Sequence, residues 1–312
     1  LLGAVSLFVL LILDPRCSLL PFTLVLFLSH LGIIYLDVSC DGWAVQISKE
    51  NERGKISGVM FAGLFAGMAF GTSVIATIAQ LSGYGMAFLA GGGIILVLII
   101  YPFFVKEAKL SEKRPHIASL LKQEFKKRMT QLVAIFGFAS SIGFGIIFFV
   151  IPLYMKTILH MDIGQIGLLT TIYPITIVIG CLLGGMMTDR WSRKTILSLI
   201  TGASIVFYAS LIYATSWQIL AILYGVIGFL NGGYLAAGSA LMMDVTNPKI
   251  GATQYSILAS LCNFGEYGGG TISGSLVAML GFGRVFLFSA WTMGPGLLIL
   301  YFIRLTKKDT FS

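Results

Sequence analysis

The stretch GMMTDRWSRK, Gly185 to Lys194, is a tight, highly charged turn set between two long apolar runs, Ile163 to Thr188 and Ile196 to Thr215. A helix needs about 20 mainly apolar residues to cross a bilayer, and each run supplies that length. A turn this short between two such runs joins antiparallel crossings. Further runs lie outward from it: Leu1 to Leu13, Leu19 to Ile47, Ile56 to Leu81, Tyr84 to Val105, Met129 to Met155, Gln218 to Met243, Ala252 to Leu280 and Phe282 to Ile303. Ten runs result, of which the first is too short to span.

Composition agrees with that pattern. The 312 residues are 57% hydrophobic and 11% charged, with a mean hydropathy of +0.92. Soluble domains carry about 25% charged residues, so lipid rather than water is the solvent for most of this chain. The runs exceed the 9 to 11 residues of a barrel strand, and no repeated period-two alternation occurs. The expected class is all-α, a multi-pass transmembrane helical bundle.

The net charge of +8 is a topology signal rather than a nucleic-acid footprint, because the 21 Lys and Arg fall unevenly. Residues 48–55 carry three, 106–128 eight, 189–194 three, 244–251 one and the tail from Arg304 three, whereas the opposite side has only Arg16, Lys156 and Arg284. The positive-inside bias makes the richer side cytoplasmic, together with the C-terminus. Residues 106–128 form a linker in which Ile117, Leu120, Leu121 and Phe125 share one helical face amid lysines, as in a helix lying on the cytoplasmic membrane surface.

An internal repeat follows. GYGMAFL at Gly83 returns as GFGRVFL at Gly281, 198 residues later. Phe70 to Leu81 is similar to Gly269 to Leu280, and the Tyr-Leu pair at Tyr35 returns at Tyr234 at nearly the same offset. Two related halves therefore flank the linker: a partial N-terminal half at 1–105, a six-helix C-terminal half at 129–304, and a cytoplasmic tail at 305–312. Parallel repeats joined by a cytoplasmic linker are a transporter plan with the substrate site between the halves. Four helices precede the linker and six follow it. The chain also starts without Met or a basic leader. It is expected to be a fragment that begins inside the third of twelve helices, with ten present.

The opening turn fits G-x-x-x-D-R-x-x-R-K at Gly185, Asp189, Arg190, Arg193 and Lys194, and so resembles the cytoplasmic signature of the major facilitator superfamily. In that family the motif lies between helices 2 and 3 and again between 8 and 9, which is where the helix count puts this copy. Chemically, the glycine permits close helix approach, the aspartate suits a neighbouring helix N-terminus, and the arginines suit acidic residues at an adjoining helix end. Asp244 is the candidate partner for Arg190 or Arg193, so that reversing Asp244 and Arg193 together should restore a function lost in either reversal. Within the superfamily, LDVSCDGWA resembles a segment of the branch containing muropeptide permeases and acetyl-coenzyme A transporters.

Intramembrane carboxylates cost a few kcal/mol or more unless they face a cavity or a partner, so they are functional candidates. Asp37 falls within about 6 Å of the middle of the Leu19 to Ile47 run, and Asp41 about 9 Å from its end. At about 100° per residue, His30, Asp37 and Asp41 share one stripe about 40° wide. The resemblance implies that this helix lines the central path. Two roles stand open for the acids: proton or cation coupling near the substrate, and a structural latch, toward which Asp41 leans by depth. The repeat aligns them with Ala236 and Ala240, so the fold does not demand them twice. Glu266 lies mid-helix in CNFGEYGGG with Asn263 one turn away; it is either a coupling residue or a carboxyl bonded to Asn263 or Tyr267 that ties helices together. Asn231, Ser140 and Ser141 are candidate cavity hydrogen-bonders.

Gly63, Gly67 and Gly71, with Gly265 and Gly269 as counterpart, match the small-xxx-small pattern of close packing. Cys17, Cys40, Cys181 and Cys262 suggest no disulfide framework. No phosphate-binding loop and no H-E-x-x-H helix occurs, so no cofactor or metal is expected, and Asp37 with Asp41 on one helix makes a poor catalytic dyad. The expectation is a monomeric, nonenzymatic secondary transporter in the cell membrane that moves a small organic solute by alternating access with a proton or cation. The competing classes are a nontransporting sensor on the same fold and an intramembrane enzyme.

Overall fold

The structure, a computed structural model, describes residues 1–13, 19–104 and 117–303. The expectations placed on Arg16, Cys17, 106–116 and the tail from Arg304 lie outside the described residues. Among the described residues the regular structure is entirely helical. The helices are α1 (Leu2–Val9), α2 (Leu19–Ile47), α3 (Arg53–Phe70), α4 (Ala76–Ile100), α5 (Ile117–Glu124), α6 (Arg128–Thr157), α7 (Ile163–Arg190), α8 (Arg193–Ser210), α9 (Trp217–Val245), α10 (Gly251–Leu280) and α11 (Phe282–Phe302). One π-helical turn, Gly71–Ile75, joins α3 to α4.

Seven stretches among the described residues are long and apolar enough to cross a membrane. One of them, Glu50–Phe104, is broken by a kink at Gly83 inside α4. Gly83 has φ 85° and ψ 165°, and Gly281, between α10 and α11, has φ 76° and ψ 162°. A side chain at positive φ costs about 1–2 kcal/mol, which glycine avoids. The two copies of the heptapeptide therefore share a backbone conformation as well as a sequence. α10 spans 30 residues but falls outside the seven, because CNFGEYGGG dilutes its apolar content.

Contacts divide the chain into two compact units. The described residues of Leu1–Asp41 and Gly67–Pro115 form one, and those of Gly42–Ala66 and His116–Ser312 the other. In the first unit α1 packs on α4, with Phe8 over Gly92, and Gly3 of α1 meets Gly32 of α2. In the second unit α6 lies along α10 and α11, and α7 along α9. Lipid offers no hydrophobic drive between helices, so small residues and close backbone contact hold such pairs. Gly265 and Gly269 of α10 seat against the carbonyls of Phe138 and Ile142 of α6, and a Cβ at either would collide with them. Ile146, Ile151, Leu169, Tyr208, Ile227 and Phe286 fill the main buried cluster.

The ladder Gly63, Gly67, Gly71 does not serve as a packing surface among the described residues, since a Cβ at each would meet open space. Gly54 and Gly58 take that role in α3, where added Cβ atoms would strike the Gly185 and Cys181 carbonyls. Gly54 and Gly63 are nine residues apart, which turns them about 180° around the helix, to opposite faces.

In the linker, Glu124 at the end of α5 is 4% exposed. Its Oε1 accepts from Asn247 Nδ2 at 2.9 Å, and Lys127 Nζ lies 2.6 Å from its Oε2. Asn247 N in turn donates to Gln254 Oε1 at 2.8 Å, and Gln254 Nε2 donates to the Val245 carbonyl at 2.9 Å. The α9–α10 turn is thereby tied to α5, whose Leu120, Leu121 and Phe125 are half-buried while Ile117 stays exposed.

Candidate functional site

Two adjoining features of the second unit carry the candidate chemistry. The first is built on the Gly185–Lys194 turn. Gly54 and Gly58 bring the start of α3 against α7 backbone to backbone, with Gly185 directly opposite Gly54. That approach puts Asp189 at the N-terminus of α3, where Gly54 N donates to Oδ1 at 2.7 Å and Lys55 N to Oδ2 at 2.8 Å. The first amides of a helix lack intrahelical acceptors and carry the positive end of its dipole, so a carboxylate there is favoured twice over.

Next to it, Asp244 at the end of α9 is shared by two guanidinium groups. Arg53 Nη1 donates to Oδ1 at 2.9 Å, and Arg193 Nε lies 2.8 Å from Oδ2. The three side chains are 8%, 11% and 9% exposed for Arg53, Arg193 and Asp244. Arg193 also donates to the Glu50 carbonyl, and Lys194 Nζ donates to the Tyr301 carbonyl at 2.7 Å. Of the two arginines considered for Asp244, the structure brings Arg193 to it. Arg190 is exposed and has no partner among the described residues. Arg53 was not legible as a partner, because its contact lies 191 positions away in sequence and the charged run at 48–55 was read only as topology.

One turn further along α3, Ser57 Oγ accepts from Ser239 Oγ at 3.0 Å, and Ser239 is hydrogen-bonded to Tyr255 OH at 2.6 Å. Ser239 and Tyr255 also line the second feature, a cleft of about 80 Å³. Its polar groups are Glu266, Asn263, Ser141, Ser239, Cys262 and the two tyrosines Tyr234 and Tyr255; Phe61, Phe136 and Phe144 form much of the remaining wall.

Glu266 and Asn263 thus face one space from adjacent turns of α10. Among the described residues Glu266 makes no hydrogen bond or ion pair, and Tyr267 is exposed, so Glu266 does not tie helices together. Ser141 lines the cleft, whereas Ser140 is fully buried. Asn231 does not line it. That residue is 2% exposed and its amide is used internally, accepting from Tyr208 OH at 3.0 Å and donating to Tyr173 OH at 2.8 Å. Sequence alone could not separate a cavity amide from one spent on buried tyrosines.

In the first unit, His30 and Asp37 are exposed on α2, and Asp41, one turn on, is buried. None of the three has a hydrogen bond or ion pair with another described residue.

The family model of the Major Facilitator Superfamily matches residues 133–311, more than half of the chain. The chain belongs to the Major Facilitator Superfamily. Membership makes it a multi-pass membrane protein of a transporter family rather than an enzyme. It is 23% identical over 287 residues to the anhydromuropeptide permease of Escherichia coli K12, with 88% of this chain and 58% of the permease aligned. The same figures hold for the permease of E. coli O157:H7. The chain spans about 58% of the length of these curated relatives. Among superfamily members of known structure, the E. coli fucose:proton symporter FucP superposes with a TM-score of 0.78 at 13% identity, covering 98% of this chain and 81% of FucP. The human organic anion transporter MFSD10 gives 0.80 at 13% identity, covering 96% and 74%. At such identities the likeness is one of fold.

Proposed function

We propose that the protein is a secondary transporter of a small organic solute that works by alternating access, with an ion gradient as its drive. The α3–α7–α9 contacts form its cytoplasmic gate: Asp189 on the α3 N-terminus, and Asp244 between Arg53 and Arg193. The cleft beside Glu266 and Asn263 is part of the solute site. The observation that carries the proposal is the adjacency of the two features. Met242 lines the cleft and Asp244 closes the ion-pair cluster two residues later on the same helix, so moving α3 away from α9 opens the cleft and breaks the cluster together.

The positive-inside bias supports a cytoplasmic side for this end, since the turns at 48–55, 189–194 and 244–251 all meet here. Glu266 is assigned to the solute, because it shares the cleft with solute-binding groups. Asp37 is assigned to ion coupling, since it lies outside that lining and has no basic partner among the described residues; Asp41, buried nearer the helix end, takes the latch role. The muropeptide relatives and the sugar symporter of like fold support muropeptides and sugars as first trial solutes.

Proteoliposomes test the proposal. A solute that raises the melting temperature of the purified protein should undergo saturable counterflow, and Asp37→Asn should abolish accumulation driven by a pH gradient while sparing that exchange. Counterflow absent for every stabilising solute would overturn the transport reading. Undiminished pH-driven accumulation in Asp37→Asn would remove Asp37 from coupling.

A further inference from the structure

The chemistry of the cleft also limits what it can hold. Glu266 is the single formally charged side chain among the described residues that line it; no Lys, Arg or His joins it there. The arginines of the adjoining gate, Arg53 and Arg193, are committed elsewhere, both closed on Asp244. Within the described residues the carboxyl of Glu266 therefore has no counter-charge of the protein's own, and its lack of hydrogen bonds means that it is not serving as a helix tie. A carboxylate kept in a half-buried, mostly apolar cleft is unfavourable unless something positive comes to it.

The walls favour the same kind of visitor. Phe136 and Tyr234 pack with ring centroids 5.8 Å apart, and Phe61, Phe144 and Tyr255 add three more aromatic side chains around the cleft. Ring faces are negative and attract ammonium groups, most strongly where water is excluded. Asn263, one turn from Glu266 and also lining the cleft, carries an amide oxygen able to accept a second N–H from the same group. An anionic solute would meet the opposite conditions, with the Glu266 charge, negative ring faces and no basic side chain to receive it.

We propose that this cleft recognises the protonated amine of a small amphipathic solute, with Glu266 as the counter-ion, Asn263 as a second acceptor and the aromatic walls holding the apolar part. The proposal rests on the cleft being part of the solute site. It adds the substrate class: amines and amino-bearing solutes, with solutes whose charge is a carboxylate or phosphate excluded. The groups that would bind solute all come from Phe61 and α6, α9 and α10, that is, from one unit of the fold.

Three probes with a common phenethyl body decide it: phenethylamine, 2-phenylethanol and 3-phenylpropanoate, titrated calorimetrically into the purified protein in nanodiscs at neutral pH. The amine should bind about 10- to 100-fold more tightly than the carboxylate, with the alcohol between, as a charge-assisted hydrogen bond predicts. Glu266→Gln should lower amine affinity to about that of the alcohol, without lowering the melting temperature of the ligand-free protein. Glu266→Asp keeps the charge and should keep the preference. Because the amine-to-carboxylate ratio is measured first on the unaltered protein, the proposal stays testable even if a variant does not fold.

Equal or tighter binding of the carboxylate, amine binding indifferent to Glu266→Gln, or no binding of any probe would overturn the proposal. Labelled phenethylamine in counterflow separates this from the transport reading. Binding that depends on Glu266 without counterflow of this amine or of any other stabilising solute overturns transport and leaves the substrate class standing. Counterflow of the amine unaffected by Glu266→Gln overturns the class and leaves transport standing.

Discussion

Replacing Asp244 by asparagine removes one negative charge from between two nearly buried guanidinium groups while keeping the side chain's shape. Removing one partner of a buried ion pair costs about 3–5 kcal/mol, because the remaining charge is left without compensation. Here the cost falls at the lower end, about 3 kcal/mol, since Arg193 keeps the Glu50 carbonyl and the asparagine oxygen can still accept from Arg53. At about 1.4 kcal/mol per factor of ten, the equilibrium between closed and open α3–α9 contacts should shift on the order of 100-fold. Hydrogen exchange reads that shift directly. The Gly54 and Lys55 amides donate to Asp189 within the same closed arrangement, and their exchange should quicken by on the order of 100-fold in Asp244→Asn. A change of less than about threefold there, or an equal acceleration along α6 and α11, would refute a local lock. The geometry also alters the expected result of charge reversal. Asp244→Arg with Arg193→Asp restores one pair but sets an arginine against Arg53, so recovery should be partial and should become fuller when Arg53→Asp is added.

Two further outcomes follow from packing. Gly185→Leu places a side chain where the Gly54 carbonyl sits, so it should hold α3 off α7 and lower the melting temperature, whereas Gly63→Leu, facing open space on the other side of α3, should change it little; overpacking of this kind costs about 1–3 kcal/mol, and equal effects of the two would contradict the assignment of packing faces. Asn247→Ala removes the donor to buried Glu124 and should loosen α5, at a cost of about 1–3 kcal/mol; limited proteolysis within 117–127 should then be faster, and an unchanged cleavage rate would show that the bond does not hold the linker.

Much of the fold was legible because lipid imposes simple rules on a chain. Run length gave the helices, and charge asymmetry gave an expected orientation. The repeated heptapeptide located two glycines that the structure finds in the same positive-φ conformation. The motif at Gly185 was readable in kind as well. A glycine for close approach, an aspartate for a helix N-terminus and an arginine for a carboxylate each need that residue type whatever the partner, and the structure supplies partners of the expected kinds in α3 and Asp244. What failed were statements about which face of a helix is used. Gly63, Gly67 and Gly71 have the spacing of a packing stripe but face open space among the described residues, and Asn231 is a buried amide between tyrosines rather than a cleft residue.

The sequence by itself determined the solvent, the secondary structure, the number of runs and the chemical character of the charged turn, all of which depend on local composition and spacing. Only the tertiary structure decided that Arg53 shares Asp244 with Arg193, that Asp189 seats on α3, and that Glu266 faces an aromatic cleft without a basic partner among the described residues. These depend on the rotation of each helix about its axis and on contacts between residues more than 100 positions apart. Helical periodicity constrains which residues share a face, but the neighbour a face meets is set by packing of the whole bundle.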